Sequence, residues 1–316
     1  MADPLFALIG AAHAHTPDHL RVASEEGWRC AAVHDTDPGR AARWAEALSA
    51  PALPLDAAVE SGAALALVCG ETADRGAQAG AALAGGLAVF SEKPLGPDAA
   101  VARRLAEQAA AAGLRLDTGF FLRTNPALAA LRARVADGAI GRVIEARGRF
   151  AHDGAFADWL DLDGWMTRPE RAIYGGFADE GVHALDWLLW TVGPFADGRA
   201  VLAHSRGYAV DDHGVAALLF ASGAVGSVGA GWTDVGMRLE FDLVGCEGRA
   251  EVRKGVARLE TRGGGEVWRA ALAPLDAGEG SRPLLRALRG AEGAQVVAPE
   301  EAVAVSLALD RLHGRL

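Results

Sequence analysis

Leu87-Ala88-Val89-Phe90-Ser91-Glu92-Lys93-Pro94-Leu95 is the stretch from which the fold is read. Leu87 to Phe90 is a short apolar run of the kind a buried parallel strand requires. It stops at an acid, a base and a proline, and Gly96-Pro97-Asp98 then opens a helical pattern. In open α/β sheets ligands bind beyond the carboxyl ends of the strands, so this order sets an ammonium at the mouth of such a crevice. The chain has only two lysines, Lys93 and Lys254, and uses arginine for its other fixed positive charges. Surroundings can tune a lysine, whereas an arginine stays protonated. Taken alone, Lys93 is open between a surface charge at a strand end and a reactive group.

Working outward, the same strand-then-helix alternation fills the first third of the chain. Pro4–Ile9, Arg29–Val33, Ala64–Val68 and Leu114–Asp117 read as further strands, with helices from Thr16, through Leu48, over Thr72–Ala84 and over Asp98–Ala112. That order predicts a doubly wound parallel sheet ending near Gly119. Gly10-Ala11-Ala12-His13-Ala14-His15 follows the first strand, with Thr16 expected to cap the helix and Pro17 to sit in its first turn. A strand, a glycine turn and a helix N-terminus form a pyrophosphate cradle. Asp35, after the second strand, stands where such folds place the acid that reads a ribose diol. Arg40 is expected near the adenosine phosphate edge, and Gly70 lies in the turn after the third strand.

His13-x-His15 after a first strand would also suit two zinc ligands of a metal-dependent hydrolase. That fold needs eight strand–helix repeats and ligands on later strands. The later histidines, His152, His183, His204 and His213, fall in a half whose texture is antiparallel, so no metal is expected.

From Arg142 onward the pattern becomes alternating strands: Val143–Phe150, Ala200–Gly207, Val215–Phe220, Ala224–Trp232 and Arg238–Val244, with hairpin signals at Ser222-Gly223, Glu247-Gly248 and Gly263-Gly264-Gly265. Between the first two lies an irregular loop, His152 to Arg171, rich in Asp and Trp, and only 276–281 reads as disordered. A helix is expected from about Ala178, placing Asp179, His183, Asp186 and Trp190 on one stripe. A polar stripe on a buried helix needs partners or a cavity. Asp179 as a cap and His183 as a satisfied core histidine are the plain alternative.

Glu92-Lys93-Pro94-Leu95 after a strand, with Asp179-x-Gly181-x-His183 further on, resembles the glucose–fructose oxidoreductase and inositol dehydrogenase group, the Gfo/Idh/MocA family, over nearly the whole chain. Members usually carry Gly-x-Gly-x-x-Gly, whereas Ala12 and His15 occupy the second and third glycine positions here. They also tend to have Thr-Pro and a later histidine where this chain has Gly70-Glu71 and Arg75. The resemblance implies an N-terminal Rossmann domain, residues 1–119, and a C-terminal α+β domain with a large, mostly antiparallel sheet, residues 120–316. It implies an oxidoreductase that moves a hydride between a carbinol carbon of a sugar, polyol or related small polar molecule and NAD, with NADP disfavoured by Asp35. The implied catalytic group is Lys93, Asp179 and His183: the histidine as general base, the aspartate orienting it, and the lysine favouring negative charge on the reacting oxygen. Gly10, Ala12, His13, Asp35, Arg40, Gly70, Glu92 and Lys93 would hold the cofactor. Arg123, Asn125, Trp165, Tyr174 and His183 would meet substrate, with Trp159 a second ring for a sugar face. A non-catalytic sensor or corepressor on the same fold and an NAD-dependent glycosidase are the alternatives.

At 316 residues the chain can bury a large core and most simply makes two domains. A net charge of −10 argues against nucleic acid or an anionic membrane as partner. No apolar run reaches membrane-spanning length, and Met1-Ala2-Asp3-Pro4 opens no secretory signal. Cys30, Cys69 and Cys246 read as reduced core residues on strands, which together with the missing signal suggests the cytoplasm. The antiparallel half has more sheet surface than its helices can cover, so a homodimer or homotetramer through that sheet is expected.

Overall fold

The computed structural model describes residues 3–157, 159–291 and 297–316. Contacts divide the chain into two compact units. One comprises Met1–Phe121, Glu170–Ile173 and Asp276–Ser306; the other comprises Leu122–Pro169, Tyr174–Leu275 and Leu307–Leu316.

The first unit holds five strands, β1 (Leu5–Ala11), β2 (Arg29–His34), β3 (Leu65–Cys69), β4 (Ala88–Ser91) and β5 (Leu116–Thr118), in the order β2-β1-β3-β4-β5. Every neighbouring pair is parallel. The connections are α1 (Thr16–Glu25), α2 (Pro38–Leu48), α3 (Leu55–Val59), α4 (Thr72–Ala84) and α5 (Ala99–Ala112). β3 and β4 are buried at every residue, as uninterrupted apolar runs covered on both faces must be. Asp37 and Asp98 accept from the backbone N–H groups of Arg40 and Val101 and so start α2 and α5, and Gly113, with φ of 65°, stops α5. The expected cap of α1 differs. Thr16 is already helical, His15 precedes it without a capping bond, and the Thr16 hydroxyl donates back to the His13 carbonyl at 2.8 Å.

Later segments complete this unit. α7 (Pro169–Ala172) follows α6 (Pro126–Ala136) in the chain and contributes its last three residues here; α9 (Arg282–Leu288) and the first part of α10 (Pro299–Leu312) do so near the end. Leu284 and Leu285 enter the same core as Phe6, Leu8, Leu67 and Phe90. The stretch 276–281, expected to be disordered, is instead a short 3-10 turn with Gly278, Gly280 and Ser281 buried. Its small residues serve close packing: a Cβ on Gly278 would stand 2.5 Å from the Asp18 carbonyl oxygen of α1.

The second unit is built on eight strands in the order β13-β12-β11-β10-β6-β9-β8-β7. These are β6 (Val143–Ala151), β7 (Phe195–Ala203), β8 (His213–Phe220), β9 (Val225–Gly231), β10 (Arg238–Gly245), β11 (Gly248–Arg253), β12 (Val256–Thr261) and β13 (Glu266–Ala271). All pair antiparallel except β6 with β9. The last three strands went unread in the sequence because they are short and rich in charge, although β11 and β12 do alternate buried apolar with outward polar residues. β7 starts earlier than expected and stops at Ala203, since Gly207 turns with φ of 76° and the Asp212 carboxylate takes the Arg206 N–H. α8 (Gly176–Val192) lies against β6 and β9, where Gly148 makes room for Ala184 and Leu188, and Trp187 stacks on Phe241 at 4.0 Å between ring centroids.

Candidate active site

The carboxyl ends of β1, β3 and β4 come together in the first unit, where an open α/β sheet binds its ligands. Gly10 has φ of 71°, and a Cβ there would stand 2.5 Å from the Cα of Gly70. The turns after β1 and β3 therefore run backbone against backbone, which only glycine permits. The Ala11 N–H donates to Asp35 at 2.7 Å and the His13 N–H to the Cys69 carbonyl at 2.9 Å. His15, at the position of a third glycine, is accommodated because its side chain turns outward. Its ring is 35% exposed, tilted against His13 and 3.2 Å from the Asp18 carboxylate.

Glu92 is buried and bonded on both oxygens. One accepts from the Lys93 N–H at 2.8 Å; the other accepts from His19 Nε2 at 2.7 Å and lies 3.5 Å from His13 Nδ1. Burial alone would raise its carboxyl pKa, yet the histidines around it hold it well below the usual range. His13 is driven well below the ordinary histidine value, by burial first, against the pull of Glu92. Arg75, also buried, donates to the carbonyls of Gly70 (2.9 Å), Lys93 (2.5 Å) and Pro94 (3.3 Å). It clamps the Glu-Lys-Pro loop to the turn after β3. Neither His19 nor Arg75 was selected from the sequence. The buried faces of α1 and α4 also carry Thr16, Thr72 and Gln78, so polarity there did not single the two out; Arg75 stood out only as the residue at the position where relatives tend to have a histidine.

Around Asp35 the polar groups form a chain. Its carboxylate accepts from Ala11 N, Asp37 N (2.8 Å) and Arg40 Nε (2.8 Å). Arg40 also reaches Glu71 at 3.2 Å, and Arg171 bonds both Glu71 and Asp74. Arg171 ends the Asp- and Trp-rich loop that begins at His152, and its guanidinium is engaged by these acids of the first unit.

In the second unit the start of α8 is fixed by Asp211, whose carboxylate accepts from Phe177 N at 2.8 Å and whose carbonyl accepts from Gly176 N at 2.7 Å. A Cβ on Gly175 would lie 2.2 Å from the Asp211 carbonyl oxygen, so the glycine pair is what lets the helix begin there. Asp179 accepts from the indole of Trp232 at 2.8 Å. His183, one turn later, is buried with its ring edge-on to Phe150 at 5.3 Å. A further histidine, His152, stands near Asp179. Its Nδ1 accepts from Gly154 N at 3.0 Å, so in the neutral ring Nε2 carries the proton and donates to Glu180 at 3.1 Å. His152, Asp179 and Glu180 each bring one ring nitrogen or carboxylate oxygen to within 4.8 Å of the other two. With Nδ1 accepting, His152 is arranged as a hydrogen-bonded partner of Glu180 rather than as a metal ligand.

The expected polar stripe divides. Asp186 is fully buried and held by Arg123 (2.6, 3.0 and 3.1 Å), whose guanidinium also faces the Trp190 ring at 5.0 Å. Three residues expected to meet substrate thus have their polar groups engaged within their own unit. Arg123 holds Asp186. Asn125 caps α6 and donates to the Ala273 carbonyl at 3.0 Å. The Tyr174 hydroxyl donates to Asp310 at 2.6 Å. Trp165 packs beside a small core of Leu160, Leu162, Met166, Val210 and Trp232, and Trp159 is 52% exposed with its ring beside His152. Cys246 is exposed and follows β10, so it is not the core residue expected.

Residues 5–120 match the oxidoreductase family with an NAD-binding Rossmann fold, and residues 128–251 match the Gfo/Idh/MocA C-terminal domain. The chain belongs to the Gfo/Idh/MocA oxidoreductase family. Among its relatives is 1,5-anhydro-D-fructose reductase of Ensifer adhaerens, 31% identical over 173 residues, covering 53% of this chain and 50% of that protein. The chain spans about half the length of the curated relatives it matches. The fold also matches an oxidoreductase domain protein from Kribbella flavida (TM-score 0.86, 22% identity, 99% and 97% of the two chains). It likewise matches levoglucosan dehydrogenase in complex with NADH and levoglucosan (TM-score 0.83, 19% identity, 99% and 97%). No helix among the described residues is long and apolar enough to cross a membrane.

Proposed function

We propose that this protein is an NAD-dependent oxidoreductase acting on a carbinol carbon of a sugar, polyol or related small polar molecule. The observation that carries the reading is the buried, ionised Glu92 bonded to the Lys93 backbone, with Arg75 clamping that loop against the Gly10–Gly70 turn pair. This rigid corner at the carboxyl ends of β1, β3 and β4 suits a dinucleotide whose phosphates lie at the start of α1. The Gly10–Gly70 approach brings backbone to the cradle, with the buried Gln78 side chain packed against both glycines, and Asp35 offers a carboxylate to the adenosine ribose, so the residues present fit NAD. Bound there, the nicotinamide would accept or supply the hydride.

The protein's own groups handle the proton and the charge. By the motif it shares with the family, His183 takes the hydroxyl proton as general base. Asp179 orients the imidazole and favours its charged form. Lys93 hydrogen-bonds the reacting oxygen and favours its negative charge. Trp165 and Trp159 offer faces to a sugar ring. Cross-strand pairs Val201–Val215 and Leu219–Val225 are exposed on the sheet of the second unit, and we assign that face to a second copy of the chain. The thiols of Cys30, Cys69 and Cys246 are free, in keeping with a cytoplasmic setting.

The test is turnover on a panel of sugars and polyols, with NAD binding followed by protein fluorescence. His183→Ala should lose roughly a hundred- to ten-thousandfold in kcat while still binding NAD. Lys93→Met should be comparably damaging. Turnover of His183→Ala within a few-fold of wild type would end the assignment. NAD binding without turnover of any substrate would favour the sensor reading, and release of an aglycone without net NADH the glycosidase.

A further inference from the structure

The subsite that reads the adenosine ribose holds opposed signals. Asp35 ends the β2 segment as the carboxylate that accepts ribose hydroxyls and repels a 2′-phosphate. Arg40, in the first turn of α2, is the group that would do the opposite, because a guanidinium takes phosphate through two parallel hydrogen bonds. Which preference prevails depends on whether Arg40 is free to turn toward a phosphate.

In this structure it is held from two sides. Its Nε donates to Asp35 at 2.8 Å and its Nη2 to Glu71 at 3.2 Å, and the side chain is 18% exposed. Glu71, in the turn before α4, is itself held: its second oxygen is bonded by Arg171, which also reaches Asp74 at 2.9 Å. Three carboxylates, Asp35, Glu71 and Asp74, meet two guanidinium groups, so the cluster keeps one net negative charge. Arg40 could turn its fork onto a 2′-phosphate only by leaving Glu71, and Glu71 would then face the phosphate with Arg171 as its one remaining partner among the described residues. The Asp35 carboxylate already accepts from Ala11 N, Asp37 N and Arg40, which leaves it about one further lone pair of the roughly four it has. Discrimination by Asp35 alone is correspondingly weak, and the second acid gains in importance.

We propose that Glu71 sets cofactor choice: by holding Arg40 against Asp35, it keeps the ribose subsite selective for the dinucleotide without a 2′-phosphate. The proposal rests on the first unit being an NAD site. The plain alternative is that Arg40–Glu71 is a partly exposed ion pair with no bearing on ligand choice, as many such pairs are.

The experiment measures dissociation constants of NAD⁺ and NADP⁺ for the full chain by protein fluorescence, with thermal melting to confirm folding. Glu71→Gln keeps the size and an acceptor oxygen and removes the charge. It should shift the NADP⁺/NAD⁺ affinity ratio toward NADP⁺ by about tenfold or more, ~1.4 kcal/mol. Adding Arg40→Ala should abolish that shift, since the freed guanidinium is what captures the phosphate. Asp74→Asn removes the same charge from the cluster without touching Arg40 and should move the ratio less than threefold. A ratio within twofold of wild type in Glu71→Gln would overturn the proposal. So would a gain that survives Arg40→Ala, or an equal gain in Asp74→Asn, which would reduce the effect to net field. Wild type that binds neither dinucleotide would instead overturn the parent reading, and this one with it.

Discussion

Replacing Arg123 with methionine separates a structural from a substrate-binding role. Arg123 approaches Asp186 at 2.6, 3.0 and 3.1 Å; the arginine is 6% exposed and the aspartate 0%. Methionine keeps most of the apolar stem but leaves the Asp186 carboxylate in the core without its counter-charge. Removing one member of a buried pair costs about 3–5 kcal/mol, because the remaining charge keeps its desolvation penalty and loses its compensation. The guanidinium also lies over the Trp190 ring at 5.0 Å, and that contact adds about 0.5–1 kcal/mol. At about 2–4 °C per kcal/mol, the melting temperature should fall by roughly 7–24 °C. Asp186→Leu alone orphans the guanidinium and should be similarly harmful, while Arg123→Met/Asp186→Leu removes both charges and should recover much of the loss. Thermal and urea unfolding of all four proteins give the cycle, and steady-state kinetics on the same samples give KM. A single mutant melting within 2 °C of wild type, or a double mutant as unstable as the sum of the singles, would refute the structural role. A raised KM with unchanged melting would restore Arg123 to the substrate site.

Acid should destabilise the fold through His13. Its folded pKa lies below the unfolded value near 6.5, so between those values the unfolded chain binds more protons and stability is lost as pH falls, by up to ~1.4 kcal/mol per pH unit. Urea midpoints from pH 7 to 5.5 should show that slope and lose the His13 share of it in His13→Gln, while His313, also lowered by burial, contributes with the same sign in both proteins; an unchanged slope removes His13 as a source. Glu92, whose folded pKa is depressed, acts with the same sign in a more acidic window beginning near its unfolded value of about 4.5. Val215→Asp places a charge in the exposed apolar sheet face and should yield monomers in sedimentation velocity where wild type is dimeric or larger; a monomeric wild type would discard the face as an interface.

The parallel half was legible because burial on both faces forces an uninterrupted apolar run, and β3 and β4 are such runs. Strands with one wet face were harder. β11 to β13 carry Arg249, Glu251, Arg253, Arg258, Glu260, Glu266 and Arg269, whose charges pair across strands (Arg249–Asp242, Arg258–Glu251) and within one (Arg253–Glu251, Arg269–Glu266), and β11 and β12 bury only Ala250, Val252, Ala257 and Leu259, too few apolar residues to stand out. The stretch 276–281 misled in the other direction: glycines that signal flexibility in isolation here permit backbone approach to α1. For the site, the motifs shared with the family are what propose Lys93, Asp179 and His183, and no spacing rule could show that Arg123, Asn125 and Tyr174 use their polar groups internally. Their partners, Asp186, Ala273 and Asp310, lie far along the chain.

The altered glycine fingerprint can be understood position by position. The first glycine is required twice over, by its left-handed φ and by the Gly70 backbone at its Cα, and it is retained as Gly10. The third is required only where a side chain would separate helix from strand. His15 avoids this by turning outward toward Asp18, so α1 still approaches the sheet. Within the same loop and the turn of α1 that follows, His13 and His19 point inward instead and converge on Glu92. The buried carboxylate needs such partners, because an ionised group without them would be driven toward its neutral form. Glu92 in turn fixes the backbone of Lys93. The loop after β1 therefore serves as a cradle through Gly10 and as a brace for the lysine through its histidines, and the residues that depart from the usual fingerprint leave the cradle backbone intact.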